Sequence, residues 1–108
     1  MTITKTLNEK ELTIALEGRL DTTTSPELEN ELAQSIEGVE SLVFDLRDLE
    51  YISSAGLRVL LSSQKKMSQR EGEMKVRNVG ENIMDIFDIT GFTEVLTIEK
   101  AGAEDSEE

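Results

Sequence analysis

The sequence predicts an α/β fold: a small sandwich with a mixed four- to five-stranded sheet, an N-terminal β-hairpin and about three helices. Three observations carry this. Leu12, Ile14 and Leu16 alternate with Thr13, Ala15 and Glu17, the period of a half-buried strand. Residues 42–46 are almost continuously apolar, as expected of a central strand covered on both faces. Segments with helical spacing of apolar residues then alternate with short strand-like runs to residue 98.

In chain order, residues 2–7 and 11–17 read as two strands turning around Asn8-Glu9-Lys10. Ser25-Pro26 marks a helix start, because serine can cap and proline fits the first helical position. Leu28, Leu32, Ala33 and Ile36 form that helix's apolar stripe, and Gly38 stops it. The strand at 42–46 gives way to a polar loop ending in Ser53-Ser54. A second helix is predicted over residues 54–70, roughly 25 Å long, with Leu57, Leu60, Leu61 and Met67 inward. Residues 74–79 read as a strand. Residues 81–89 read as a short helix with Ile83, Ile86 and Phe87 inward, ended by Gly91. Residues 95–98 form the last predicted strand. The domain is therefore placed at 1–98, and 99–108 is expected to be an acidic, disordered tail.

The 108 residues form one domain, large enough to bury about 65% of its unfolded surface. Without cysteine there is no disulfide scaffold and no thiolate metal site. Without histidine there is no Ser–His–Asp triad and no histidine-based zinc site. Neither a glycine-rich phosphate loop nor a Gly-x-Ser-x-Gly turn occurs. No metal or cofactor is expected. Met-Thr-Ile-Thr-Lys at the start lacks an apolar signal core, and no apolar run approaches the roughly 20 residues of a membrane span. A cytoplasmic protein is expected. A net charge of −12 argues against nonspecific binding to nucleic acid or anionic lipid.

The candidate chemistry lies at residues 43–57. Ser53 and Ser54 fall where a helix begins, so free backbone N–H groups and the positive end of the dipole point outward. A phosphate would be favoured there. The plainer role is a helix cap, and one residue can serve both. Gly56 either admits a close approach or packs the helix start against the sheet. Asp21 is a turn residue or part of a partner surface. Asp45, inside an apolar strand, is expected near the strand's C-terminal end with a donor partner. Arg47, Asp48 and Glu50 read as solvated loop charges. Arg58, Lys65, Lys66 and Arg70 read as a solvated helix face or as contacts to an acidic partner protein.

The run Asp45-Leu46-Arg47-Asp48-Leu49-Glu50-Tyr51-Ile52-Ser53-Ser54-Ala55-Gly56-Leu57 resembles, without a gap, the signature Asp-Leu-Ser-x-Leu-x-Phe-Ile-Asp-Ser-Ser-Gly-Leu of the anti-sigma factor antagonist family, the STAS domain. Gly18-Arg19-Leu20-Asp21 with Pro26-Glu27-Leu28 resembles the family's entry to its first helix. Asn78-Val79 and Ile86-Phe87-Asp88-Ile89-Thr90-Gly91-Phe92 resemble its last strand–helix unit. Two departures stand out: Ser53 occupies a position that is usually acidic, and Ala55 one that is often serine.

The resemblance implies a regulatory binding module that is not an enzyme. Its unphosphorylated form would bind an anti-sigma factor that is also a serine kinase, releasing a sigma factor. The kinase would phosphorylate Ser54, with Ser53 as the runner-up, and a phosphoserine phosphatase would reverse it. Asp21, Ser53, Ser54, Ala55, Gly56 and Arg58 would form the partner surface of a monomer or weak dimer. The alternative is a STAS-type module of another signalling or transport assembly. An enzyme using Ser54 as nucleophile is the least favoured reading.

Overall fold

A computed structural model of the protein describes residues 1–100. The chain runs β1 (Thr2–Asn8), β2 (Glu11–Leu20), α1 (Ser25–Ser35), β3 (Ser41–Ile52), α2 (Ser54–Gln69), β4 (Glu73–Val79), α3 (Glu81–Thr90), a short 3-10 turn (Phe92–Glu94) and β5 (Ile98–Lys100). The strands form one five-stranded sheet in sequence order, β1-β2-β3-β4-β5. β1 and β2 pair antiparallel as a hairpin, and every other neighbour pair is parallel. Each parallel step is bridged by one helix, as parallel strands require.

The register explains the core. Leu12 and Ile14 of β2 stand beside Leu42 and Phe44 of β3, which stand beside Met74 and Val76 of β4. These side chains join Leu28 and Leu32 of α1, Leu57, Leu60 and Met67 of α2, and Ile83 and Phe87 of α3 in one cluster. Burial of each large apolar side chain contributes about 1.5–3 kcal/mol. On the other face of β3, Val43 is buried but Ser41 and Asp45 are only half-buried, so the second face is less fully covered than the apolar run predicts.

Asp45 has a donor, but the residue lies within β3 rather than near its C-terminal end, because the strand runs on to Ile52. The Asp45 Oδ1 accepts from Asn78 Nδ2 at 3.0 Å and from the Arg47 N–H at 3.1 Å. Asn78 is buried, has a left-handed φ of 58° and lies where the β4–β5 register shifts between Val76 and Val79. The Asp45 contact supports a conformation that asparagine tolerates better than most residues.

Several sequence expectations are corrected. β3 does not end at 46. It continues to Ile52, pairing with β2 through register shifts, so Arg47, Asp48 and Glu50 are strand residues rather than loop residues. The N-cap position of the first helix is Thr24, whose side chain makes no cap bond, and not Ser25, which is buried with its hydroxyl donating to the Asp21 carbonyl at 2.7 Å. Ala33 is exposed, and Ile36 and Leu61 are only half-buried, so the stripes are narrower than predicted, while Val59 and Ser63 are buried instead. Residues 95–97 are not in a strand. The Val95 and Leu96 N–H groups bond back to the Phe92 carbonyl, which delays β5 to Ile98–Lys100. That strand crosses the boundary drawn at 98, and Glu99 approaches Arg77 at 3.7 Å and Lys75 at 4.0 Å. The remainder of the expected tail, 101–108, lies outside the described residues.

Candidate functional site

Two chain segments leave the C-terminal ends of β2 and β3 side by side. Leu20 pairs with Ile52, and the Ser53 N–H donates to the Leu20 carbonyl at 2.9 Å. The bond ties the segment after β2, which holds Asp21, to the start of α2, which holds the serines. The Asp21 segment and the serine segment therefore lie side by side, as the family resemblance implies.

The two serines differ. Ser53 is the N-cap of α2, with extended backbone (φ −97°, ψ 177°), and its Oγ accepts from the Gly56 N–H at 3.4 Å. It is half-buried. Ser54 is the first residue of the helix and is exposed. The capping role thus falls on Ser53 and leaves the Ser54 hydroxyl toward solvent. Ala55 is half-buried. Gly56 is buried, and a Cβ added there would lie 2.7 Å from Leu20 Cγ and 2.8 Å from Ile52 Cγ1. Its part is to seat the helix start against the ends of β2 and β3, so it does not face solvent with the other residues of the expected partner surface.

Asp21 is held in a network. Its Oδ1 accepts from the Thr23 N–H at 3.0 Å, the Thr24 N–H at 3.1 Å and the Thr24 hydroxyl at 3.2 Å. The Thr24 Oγ1 lies 2.8 Å from the Asp21 N–H, from which it accepts, and 2.9 Å from the Arg19 carbonyl. These contacts turn the Thr24 hydroxyl away from the helix it precedes, which is why α1 has no side-chain cap bond. The Thr24 N–H above all holds the Asp21 carboxyl below the usual carboxylate range. Partial desolvation opposes this, and the Thr24 hydroxyl, the Thr23 N–H and Arg19 add to it.

Sequence reasoning missed two neighbours. The Arg19 guanidinium lies 4.4 Å from the centre of the Tyr51 ring, and its Nε is 3.8 Å from Asp21 Oδ2. Arg19 and Tyr51 are register partners on β2 and β3, a relation invisible until the strand at 42–46 is extended to Ile52. The sequence motif includes Arg19 but gives it no role.

The cations of α2 divide by position. Arg58 is exposed one turn after Ser54, and the first turn of α2 contains no acid. Lys65 and Lys66 are exposed further along. Arg70 does structural work: its Nη1 donates to the Ile36 carbonyl at 2.6 Å and the Val39 carbonyl at 3.4 Å, closing the end of α1. A depression lined by Asn8, Glu9, Lys10, Glu11, Glu40 and Ser41 lies at the opposite end of the strands from the serines. No group of three or more acidic residues among the described residues is arranged to hold a metal ion. No described helix is long and apolar enough to cross a membrane.

Comparison with known proteins agrees with this geometry. The STAS domain family model matches residues 2–104. The anti-sigma-B factor antagonist of Bacillus subtilis is 30% identical over 91 residues, covering 84% of this chain and 84% of its own. The Bordetella bronchiseptica protein BtrV, provisionally named an anti-sigma factor antagonist, is 35% identical over 88 residues, covering 81% of this chain and 76% of its own. The anti-sigma factor antagonist SpoIIAA shares the fold. Its unphosphorylated form superposes with a TM-score of 0.75 at 16% identity, covering 97% of this chain and 94% of its own. Its phosphorylated form, from Bacillus, gives 0.73 at 15%, with 90% of each chain covered. The expected mixed sheet and three helices are therefore present in the STAS arrangement, and this chain belongs to the STAS domain family.

Proposed function

We propose that this anti-sigma factor antagonist is a binding module switched by phosphorylation at Ser54. Unphosphorylated, it binds an anti-sigma factor that is itself a serine kinase, and a sigma factor is released. The kinase uses ATP to phosphorylate Ser54, binding is lost, and a phosphoserine phosphatase restores the competent form. The chain itself catalyses nothing, and the cycle runs in the cytoplasm.

One observation supports the choice of residue: Ser53 is half-buried with its Oγ accepting from the Gly56 N–H, while Ser54, next to it, is exposed at the first helical position. The kinship of the chain to named anti-sigma factor antagonists supports the partner class. The physics is that of added charge. Phosphate brings about −1.5 to −2 at pH 7 to a surface meant to be buried against a partner. Its desolvation there, and repulsion by any facing acid, reject the partner without a change of fold.

The test is incubation of the purified chain with its cognate kinase and ATP, followed by sequencing of the phosphopeptide. Modification at Ser54, with loss of kinase binding, is the expected result. Modification confined to Ser53 or to Thr22–Thr24, or retention of full binding after modification at Ser54, rejects the proposal.

A further inference from the structure

We infer that Arg58 is the internal counter-ion of phosphorylated Ser54, so that phosphorylation also withdraws Arg58 from the partner. This rests on Ser54 being the acceptor. Ser54 and Arg58 are four apart in α2, which places them on one face, and both are exposed. Helical side chains lean toward the N-terminus, so Arg58 reaches back over the turn that starts at Ser54. An anion placed N-terminal to a cation at this spacing is the better orientation of such a pair. A phosphate offers the oxygens that a guanidinium fork can grip in two places.

The neighbouring charges leave this role to Arg58. Arg19, on the adjoining segment, is engaged by Asp21 and by the Tyr51 ring. Asp21 has its carboxylate fixed by Thr23 and Thr24, and it adds negative charge beside the same helix start. Arg70 is bound to the end of α1, and Lys65 and Lys66 lie about three turns from Ser54. Arg58 makes no ion pair among the described residues, and α2 carries no acid to compete for it. In the unphosphorylated chain Arg58 is therefore available to an acidic group on the partner. In the phosphorylated chain it is taken by the phosphate one turn away.

The experiment uses full-length chain with phosphoserine installed at position 54 during translation, so the result does not depend on any kinase. The 31P resonance is titrated with pH in the wild type, in Arg58→Gln and in Arg58→Lys. A nearby cation favours the dianion, so the second phosphate pKa in the wild type should lie roughly 0.3 of a unit or more below that of Arg58→Gln, with Arg58→Lys between them. The helix terminus is common to all three and cancels. Identical titrations in the wild type and Arg58→Gln overturn the pairing. In unphosphorylated chain, Arg58→Gln should weaken kinase binding about tenfold, while a thermal melt of the exposed-site variant stays unchanged. Unaltered kinase binding would overturn the withdrawal. A kinase that leaves Ser54 unmodified would instead sink the phosphorylation cycle and leave the titration result standing.

Discussion

α2 and α3 both begin at the C-terminal ends of parallel strands, after β3 and after β4, and they offer an anion different surroundings. α2 starts with a serine cap whose oxygen accepts from Gly56, has no acid in its first turn, and presents Ser54 and then Arg58 to solvent. α3 starts with Gly80, which provides no side-chain cap, and places Glu81 in its first turn. The positive end of α3 has a carboxylate in its own first turn, whereas the first turn of α2 carries none. A helix N-terminus alone does not make a phosphate-accepting surface. The first-turn residues bear on how far its field is left available, and α2 alone among the described α-helices has no acid there.

The most severe way to break the contrast is at Ser54. Ser54→Ala should abolish phosphorylation while preserving kinase binding, giving an antagonist that cannot be switched off. Gel-shift and pulldown assays with the cognate kinase read both. Ser54→Asp should weaken binding less than phosphate does, because one carboxylate carries about half the charge.

Next in size is Gly56→Val. The first added carbon already meets Leu20 and Ile52 at under 3 Å, and the valine branch has no room. The start of α2 must shift off the strand ends, at a cost of about 2–3 kcal/mol or more by overpacking. Urea unfolding measures this. The equivalent substitution at Gly80, where an added Cβ meets nothing within 4 Å, should cost far less. Equal losses at the two glycines would erase the distinction between the helix starts.

Ser53→Ala removes one cap and should cost about 1 kcal/mol in the same assay, with Ser54 still phosphorylated. If this variant lost phosphorylation while remaining folded, the division of labour between the serines would be reversed.

The smallest effect is at Asp21. Its folded-state pKa is depressed chiefly by the Thr24 N–H. The stability it contributes is therefore present above the ordinary aspartate pKa, near 4, and is lost as pH falls through the lower folded value. Acid denaturation of Asp21→Asn should show a shallower loss over that window than the wild type. An NMR titration that found Asp21 at or above the ordinary value would contradict the network drawn around it.

Much of the contrast was legible in the sequence. Gly91 was readable as the end of α3 and adopts the left-handed conformation that ends helices, with φ 82°. Ser53-Ser54 was readable as a helix start because the apolar spacing of Leu57, Leu60 and Met67 begins just beyond it. The extension of β3 was not readable. Over Arg47–Ile52 only Leu49 and Ile52 are buried, three apart rather than two. β4 leaves β3 after Asp45, and the register to β2 shifts, so strict alternation is no longer required. The Asp21–Thr24 network was equally hidden. Four consecutive side chains there could each cap or turn, and only the fold selects which hydroxyl points backward.

The bond from the Ser53 N–H to the Leu20 carbonyl bears on how fast a partner can be captured. It stitches the Asp21 segment and the head of α2 into one plate, further pinned by Arg19 lying against Tyr51 and by the Asp21 turn. If the proposed partner docks on this plate, the hydrogen bonds that already hold it leave little chain to be ordered on docking. Association should then be governed by diffusion and orientation rather than by rearrangement, and changes at this face should appear mainly in the lifetime of the complex. The phosphate would be read in the same way, as a shorter residence time on an unaltered scaffold.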